Sequence, residues 1–168
     1  PRFFAICQQH KKGFNIENYT VLLFVKQGCY AETYRVRGKD GKLYFLKLFN
    51  YSQLHKSAFD ENNNILEIEL VKSIQHPNLV TYKDSGEIII ENKKYAYLVL
   101  DFIAGETLSE KIIRERYTSL YDIKNLVIGI LEGLKYLHQQ ANPIIHNEIT
   151  LQNVMLDLAQ GNPKTKII

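Results

Sequence analysis

Hydrophobic positions in the first hundred residues fall into short blocks separated by polar turns. "YTVLLFV" (19–25), "TYRVR" (33–37) and "LYFLKLF" (43–49) are rich in β-branched and aromatic residues, with "KDG" between the last two. A Gly-containing turn between such runs marks a hairpin. "LVTYKDSGEIII", the turn "ENKK" and "YAYLVLDF" give two more strands. Between the third and fourth strands the spacing predicts a helix over about 57–75. Ser57 followed by Asp60 opens it in the manner of a capping box. "HPN" (76–78) stops it, because the residue before a Pro disfavours helix. Five strands with one helix inserted after the third is an α+β arrangement.

After Gly105 the period changes. "TLSEKIIRERY" predicts a short helix, and 119–138 a longer one, opened by Ser119 with Asp122 three residues on. Its apolar positions Ile123, Leu126, Val127, Ile130, Leu131, Leu134 and Leu137 keep helical spacing. In "PIIHNEITLQNVMLD" (143–157) two apolar runs, Ile144-Ile145 and Val154-Met155-Leu156, bracket a polar segment. This reads as strand, loop, strand. The expected organisation is a flank over 1–18, a β-rich lobe over 19–101, a hinge over 102–106 near "DFIAG", and the start of a helical lobe over 107–168.

Composition narrows the function classes. With 168 residues, 45% hydrophobic and 23% charged, the chain is one globular domain or part of a larger one. The net charge of +3 is not gathered into a basic stripe, which argues against nucleic acid as the main partner. Cys7 and Cys29 make neither a metal spacing nor a disulfide framework, and point to a reducing cytoplasm. No apolar run approaches the roughly 18 residues of a membrane span, and "PRFFAICQQ" is too short for a secretion signal. The start on Pro1, the single Met155 and the finish on "KTKII" suggest that both ends are cut.

Several residues are candidates for chemistry. In "VKQGCYAETYRV", Gly28 and Ala31 are small enough to let backbone N–H groups approach phosphate oxygens, although a single Gly also suits a plain turn. Lys47 lies in the apolar strand "YFLKLF", and a Lys there either faces outward at an edge or is paired. Glu67 has Leu70, Val71 and Ile74 at i+3, i+4 and i+7, so it falls on the apolar face and needs a cation; Lys47 is the obvious one. Glu69, with Lys72 and Ser73 at the first two offsets, faces water. His146, Glu148 and Asn153 form a further set: a loop brace, a carboxylate base, and an amide oxygen for a divalent metal.

In this order, the motifs resemble the eukaryotic-type protein kinase fold from about Tyr19 to the last residue. "KQGCYAETYRV" resembles the glycine-rich loop, with Gly28 at its middle glycine. "YFLK" resembles the V-A-I-K strand, which implies that Lys47 binds the nucleotide phosphates. "ILEIELVKSIQHPNLV" resembles helix C and its "HPN" turn, with Glu67 at the ion-pair position. "LVLDFIAGETL" is similar to the hinge; Leu100 is implied as gatekeeper, and Asp101 to Ile103 as backbone contacts to an adenine edge. "IIHNEITLQN" resembles the catalytic loop H-R-D-x-x-x-x-N, which implies His146 as the loop His, Glu148 as catalytic base and Asn153 as metal ligand. The terminal "KII" resembles the strand before the Asp-Phe-Gly segment, whose Asp is expected just past Ile168.

The resemblance implies a protein-kinase-like fold: a five-stranded antiparallel N-lobe with helix C, then the start of a helical C-lobe. It implies a Ser/Thr-type kinase using ATP and Mg²⁺ on a protein substrate. Two alternatives stay open, the first because of departures from the family pattern and the second because kinases of small molecules share the loop pattern H-x-D-x-x-x-x-N. Lys26 and Ala31 replace two loop glycines, Asn147 the loop Arg, Glu148 the Asp, and Thr150 the Lys that helps neutralise the transferred phosphoryl group. A pseudokinase, serving as a nucleotide-binding or scaffolding module, is one alternative, and a small-molecule kinase of related fold is the other. An unfinished helical lobe would leave apolar surface on the long helix, favouring self-association or a partner chain.

Overall fold

The computed structural model describes residues 12–28, 30–115, 119–159 and 163–168. Cys7 and Cys29 lie outside these. The chain divides into two units: the residues up to Ser73 together with Tyr82–Phe102, and Ile74–Thr81 together with Ile103–Ile168.

The first unit is an antiparallel sheet with one helix. Its elements are β1 (Asn15–Ile16), β2 (Tyr19–Gln27), β3 (Ala31–Gly38), β4 (Leu43–Asn50), α1 (Leu66–Ser73), β5 (Tyr82–Ile90) and β6 (Lys93–Asp101). The sheet order is β1-β2-β3-β4-β6-β5. All five expected strands are present, and the sheet has six strands rather than five. The added β1 pairs Ile16 with Tyr19 across a tight turn. Two residues are too few to show alternation, yet Ile16 is fully buried.

Hairpin chemistry sets the registers. The β3–β4 turn places Gly41 at φ +79°, with its N–H donating to Gly38 O at 2.9 Å. The β5–β6 turn places both Glu91 and Asn92 at positive φ, the two-residue form whose twist matches the strands it joins. One sheet face carries the core: Tyr34, Val36, Tyr44, Leu46, Leu48, Tyr97 and Val99 pack with Ile16, Tyr19 and Val21. Alternation along β4 places Leu43, Phe45, Lys47 and Phe49 on the other face.

The helix before "HPN" is shorter than the expected 57–75: α1 covers only Leu66–Ser73. Ser57 falls in a single 3₁₀ turn, Lys56–Ala58. Asp60 caps a local turn instead of a helix, its Oδ1 accepting from the N–H groups of Asn62 (2.9 Å) and Asn64 (2.8 Å). Asn63 then takes φ +64°. Short polar side chains compete for backbone groups in this way and defeat helix propagation. The buried stripe of α1 also differs from the expected one. Ile65 and Ile68 are buried, whereas Leu70 is 37% exposed.

The second unit holds β7 (Gly105–Thr107), α2 (Leu108–Arg114), α3 (Leu120–His138), β8 (Val154–Asp157) and β9 (Lys164–Ile167), with the strands ordered β7-β8-β9. Both expected helices form. Thr107 and Glu110 close a reciprocal capping box on α2, and Ser119 Oγ accepts from Asp122 N–H at the start of α3. Val154-Met155-Leu156 is a strand as expected; Ile144-Ile145 is not. Ile144 N–H donates to Leu137 O, folding the chain back on the helix end and seating Ile144 against Leu137 and Leu79. Ile145 is left 68% exposed.

Two glycines let α3 approach β9. A Cβ on Gly129 would lie 2.8 Å from Thr165 Cβ, and one on Gly133 3.0 Å from Ile167 Cδ1. Asn78 is buried at this junction, donating its side-chain amide to Thr165 O at 2.8 Å while its own carbonyl accepts from Ile167 N–H. Farther round α3, Leu120, Ile123, Val127 and Leu131 remain exposed. Among the described residues no helix is long and apolar enough to cross a membrane.

Candidate functional site

Lys47 is paired in the way its sequence position requires. Its Nζ lies 2.7 Å from Glu67 Oε1. β4 supplies the Lys and α1 the Glu, so the pair ties helix to sheet. The side chains are 31% and 41% exposed, and Glu67 sits at the margin of the apolar stripe. Glu69 pairs with Lys72 at 2.8 Å and is about as exposed as Glu67, 43% against 41%, so the two carboxylates differ by partner and not by burial. An ammonium held by one carboxylate and still open to solvent can receive an anionic ligand.

The remaining sheet residues surround Lys47 in rows. Thr33 and Leu98 are its cross-strand partners; Arg35 and Leu100 flank Phe45 in the next row. Leu98 and Leu100 are buried, making an apolar floor. Gly28 and Ala31 form the β2–β3 turn, where Gly28 N–H donates to Ala31 O at 2.8 Å. That bond commits the Gly28 amide to closing the hairpin. A Cβ on Gly28 would sit 3.2 Å from the same oxygen, a tight contact that a shift of a few tenths of an ångström would relieve. Asp101 is opposite Tyr44, one residue out of phase with Leu100, and its side chain is exposed. It lines a pocket of about 450 Å³ with Lys42, Leu43, Tyr44, Tyr82, Lys83 and Phe102. Lys47 and Leu100 are not in that lining, so the pocket does not mark the Lys47 site. Ile103 belongs to the second unit, where it is buried and its carbonyl accepts from Gly105 N–H.

In the second unit the loop of His146, Glu148 and Asn153 is a braced turn. His146 Nδ1 accepts from Glu148 N–H at 3.3 Å, and its Nε2 lies 3.3 Å from Ile168 O. Asn147 takes φ +63°, a conformation Asn tolerates better than most residues. Asn153 donates its Nδ2 to Glu148 O at 3.0 Å, which orients the amide and turns Oδ1 away from that carbonyl. Asn153 O accepts from Ile168 N–H at 3.0 Å. The loop is thereby fastened to the end of β9. The Glu148 side chain is exposed to solvent.

Asn153 Oδ1 is a hard oxygen ligand of the kind Mg²⁺ takes, alongside substrate phosphates. Among the described residues no group of three or more His, Cys, Asp or Glu side chains could hold a metal by itself.

Two residues with a claim on the site were not singled out by sequence. Arg35 shares the Lys47 face, and its Nε is buried without a hydrogen-bond partner among the described residues. It lies two residues on from Thr33 along β3, and only the strand register puts it in the row beside Lys47. Phe45 precedes Lys47 by two and packs on Phe102, ring centroids 5.0 Å apart; only its spacing from Lys47 signals this.

The first unit thus carries a paired strand Lys and helix Glu, and the second a braced loop with a carboxylate and an amide. The family model described as Protein kinase domain matches residues 19–168. By that match, this chain belongs to the protein kinase domain family.

Proposed function

We propose that this protein is an ATP- and Mg²⁺-dependent kinase of the Ser/Thr type, acting on protein hydroxyls. The observation that carries the reading is the 2.7 Å Lys47–Glu67 pair, which holds a cation on the sheet face next to the Gly28 hairpin. Lys47 would grip the α and β phosphates and keep the nucleotide in register. Gly28 and its turn would cover the phosphates. Leu100 and the backbone of Asp101 to Ile103 would border the base. Bound Mg²⁺ would supply charge neutralisation at the phosphates, with Asn153 Oδ1 as one ligand.

Glu148 would accept the proton of the substrate hydroxyl as its oxygen attacks the γ-phosphorus. The bond from that phosphorus to the β–γ bridging oxygen breaks, ADP leaves, and the phosphoryl group stays on the substrate. Glu in place of Asp keeps the carboxylate but adds a methylene, and a misplacement of about 1 Å costs on the order of a hundredfold. Thr150 supplies no positive charge near the developing negative charge, which slows transfer further. These two residues, with Asn147, favour the second reading, a nucleotide-binding scaffold that transfers nothing.

The test is phosphorylation of a degenerate peptide mixture by the full-length protein, with analysis of the modified amino acid. Phosphoserine and phosphothreonine support the Ser/Thr reading. Phosphotyrosine alone overturns that specificity, and nucleotide binding without any phosphopeptide supports the scaffold.

A further inference from the structure

We propose that Tyr51, Glu87 and Lys94 form a clasp that positions α1, so that the reach of Glu67 toward Lys47 depends on three residues outside the site. The inference rests on the nucleotide-binding reading of Lys47 above.

α1 is thinly held by its own packing. Of its eight residues only Ile68 is buried, while Leu66 and Leu70 are 43% and 37% exposed. A helix this short has little stability of its own and takes its place from tertiary contacts. The Lys47–Glu67 pair is one such contact, but an ion pair this open to water holds little by itself.

The segment leading into α1 supplies the rest. Phe59 bridges to Ile65 in antiparallel fashion. The Ile65 carbonyl accepts from the N–H groups of Ile68 and Glu69 at 3.0 and 3.2 Å. The place of Phe59 therefore sets where the first turn of α1 begins, with Glu67 in it. The Phe59 ring stacks on Tyr51, centroids 5.9 Å apart and planes inclined by 20°. Tyr51 follows directly on β4, at the fourth position past Lys47.

Tyr51 is in turn tied to the β5–β6 hairpin. Its hydroxyl donates to Glu87 Oε1 at 2.5 Å. Lys94 Nζ lies 2.8 Å from the same oxygen and 4.6 Å from the centre of the Tyr51 ring. Tyr51 thus meets a carboxylate at its hydroxyl and a cation over its face. Burial, then the Glu87 bond, push the Tyr51 hydroxyl up to about 12. Lys94, then Tyr51, hold the Glu87 carboxyl below its usual range. The path from hairpin to helix is continuous: Glu87 to Tyr51, Tyr51 to Phe59, Phe59 to Ile65, and Ile65 to the turn that carries Glu67. Every residue on it belongs to the first unit.

The test is a double-mutant cycle on the full-length protein, with Tyr51→Phe, Glu67→Ala and the two combined, read by calorimetry with ATP and Mg²⁺. Tyr51→Phe deletes the bond to Glu87 but keeps the ring on Phe59. It should weaken ATP binding about threefold alone and not at all in the Glu67→Ala background, because residues that act through one another are not additive. Glu87→Gln keeps an acceptor for the Tyr51 hydroxyl and should stay closer to wild type than Glu87→Ala. Hydrogen exchange without nucleotide gives a second readout: Tyr51→Phe should speed exchange in Leu66–Ser73 and leave β3 as in the wild type. Equal losses of ATP affinity in both backgrounds, unchanged affinity in Tyr51→Phe, or wild-type exchange in Leu66–Ser73 overturns the inference and leaves the nucleotide reading intact. A wild-type protein that binds no ATP sinks the nucleotide reading itself, and the inference with it.

Discussion

Lys47 Nζ sits 2.7 Å from Glu67 Oε1, yet the two side chains keep 31% and 41% of their surface in water. A pair this open adds little to stability, since exposed ion pairs contribute about 0–1 kcal/mol. Its value lies in fixing where the ammonium points. Glu67→Ala should therefore shift the denaturation midpoint only slightly while weakening ATP binding at least several-fold. Chemical denaturation and calorimetry on the same samples check this. A large stability loss with unchanged binding would make the pair a structural brace.

Asn78 behaves in the opposite way. It is buried, and its amide donates to Thr165 O at 2.8 Å between α3 and β9. Asn78→Ala leaves that carbonyl unsatisfied and should cost about 1–3 kcal/mol, measured by urea denaturation. A neutral result would mean that water replaces the amide.

Gly105 tests the closeness of β7 to β8. A Cβ there would lie 1.7 Å from Leu156 O, a backbone atom that cannot swing aside. Gly105→Ala should destabilise by about 1–3 kcal/mol or more, visible as a lowered unfolding temperature. Full retention of stability would contradict the β7–β8 pairing.

Acid should loosen α2. Arg114 Nε and Nη2 reach Glu106 at 3.1 and 2.5 Å and hold its carboxyl below the usual range. Lys111, then Arg114, do the same for Glu115. Because these folded-state values are depressed, their stabilisation is complete above the ordinary Glu value of about 4.3. It disappears as pH falls through the lowered values. Wild type and Arg114→Gln should differ in unfolding temperature at pH 7 and converge at strongly acid pH. A constant difference at both would leave the carboxylates without a role.

Much of this architecture is legible in the sequence because it is local. The strands of the first unit follow from alternation, their turns from Gly41 and Asn92, and α3 from its Ser119 cap and apolar spacing. The pairing of Lys47 with Glu67 follows from an apolar strand and a helical face expected to be apolar, yet Glu67 is 41% exposed, so the partner is legible and the burial is not. The limits are physical too. The polar run at 60–64 keeps its own hydrogen bonds and cuts the helix short, which spacing alone does not reveal. β1 is too brief to carry a pattern. The Asn78–Thr165 bond and the Phe45–Phe102 contact join residues far apart in the chain, and only the folded sheet shows that they meet.

The most direct measurement is transfer of labelled γ-phosphate from ATP by the full-length protein, beside Lys47→Ala and Glu148→Gln. Label that appears with the wild type and is lost in both variants is the expected result, making this a kinase that uses a Glu base. No label from a protein that still binds ATP would contradict the catalytic reading and leave a scaffold.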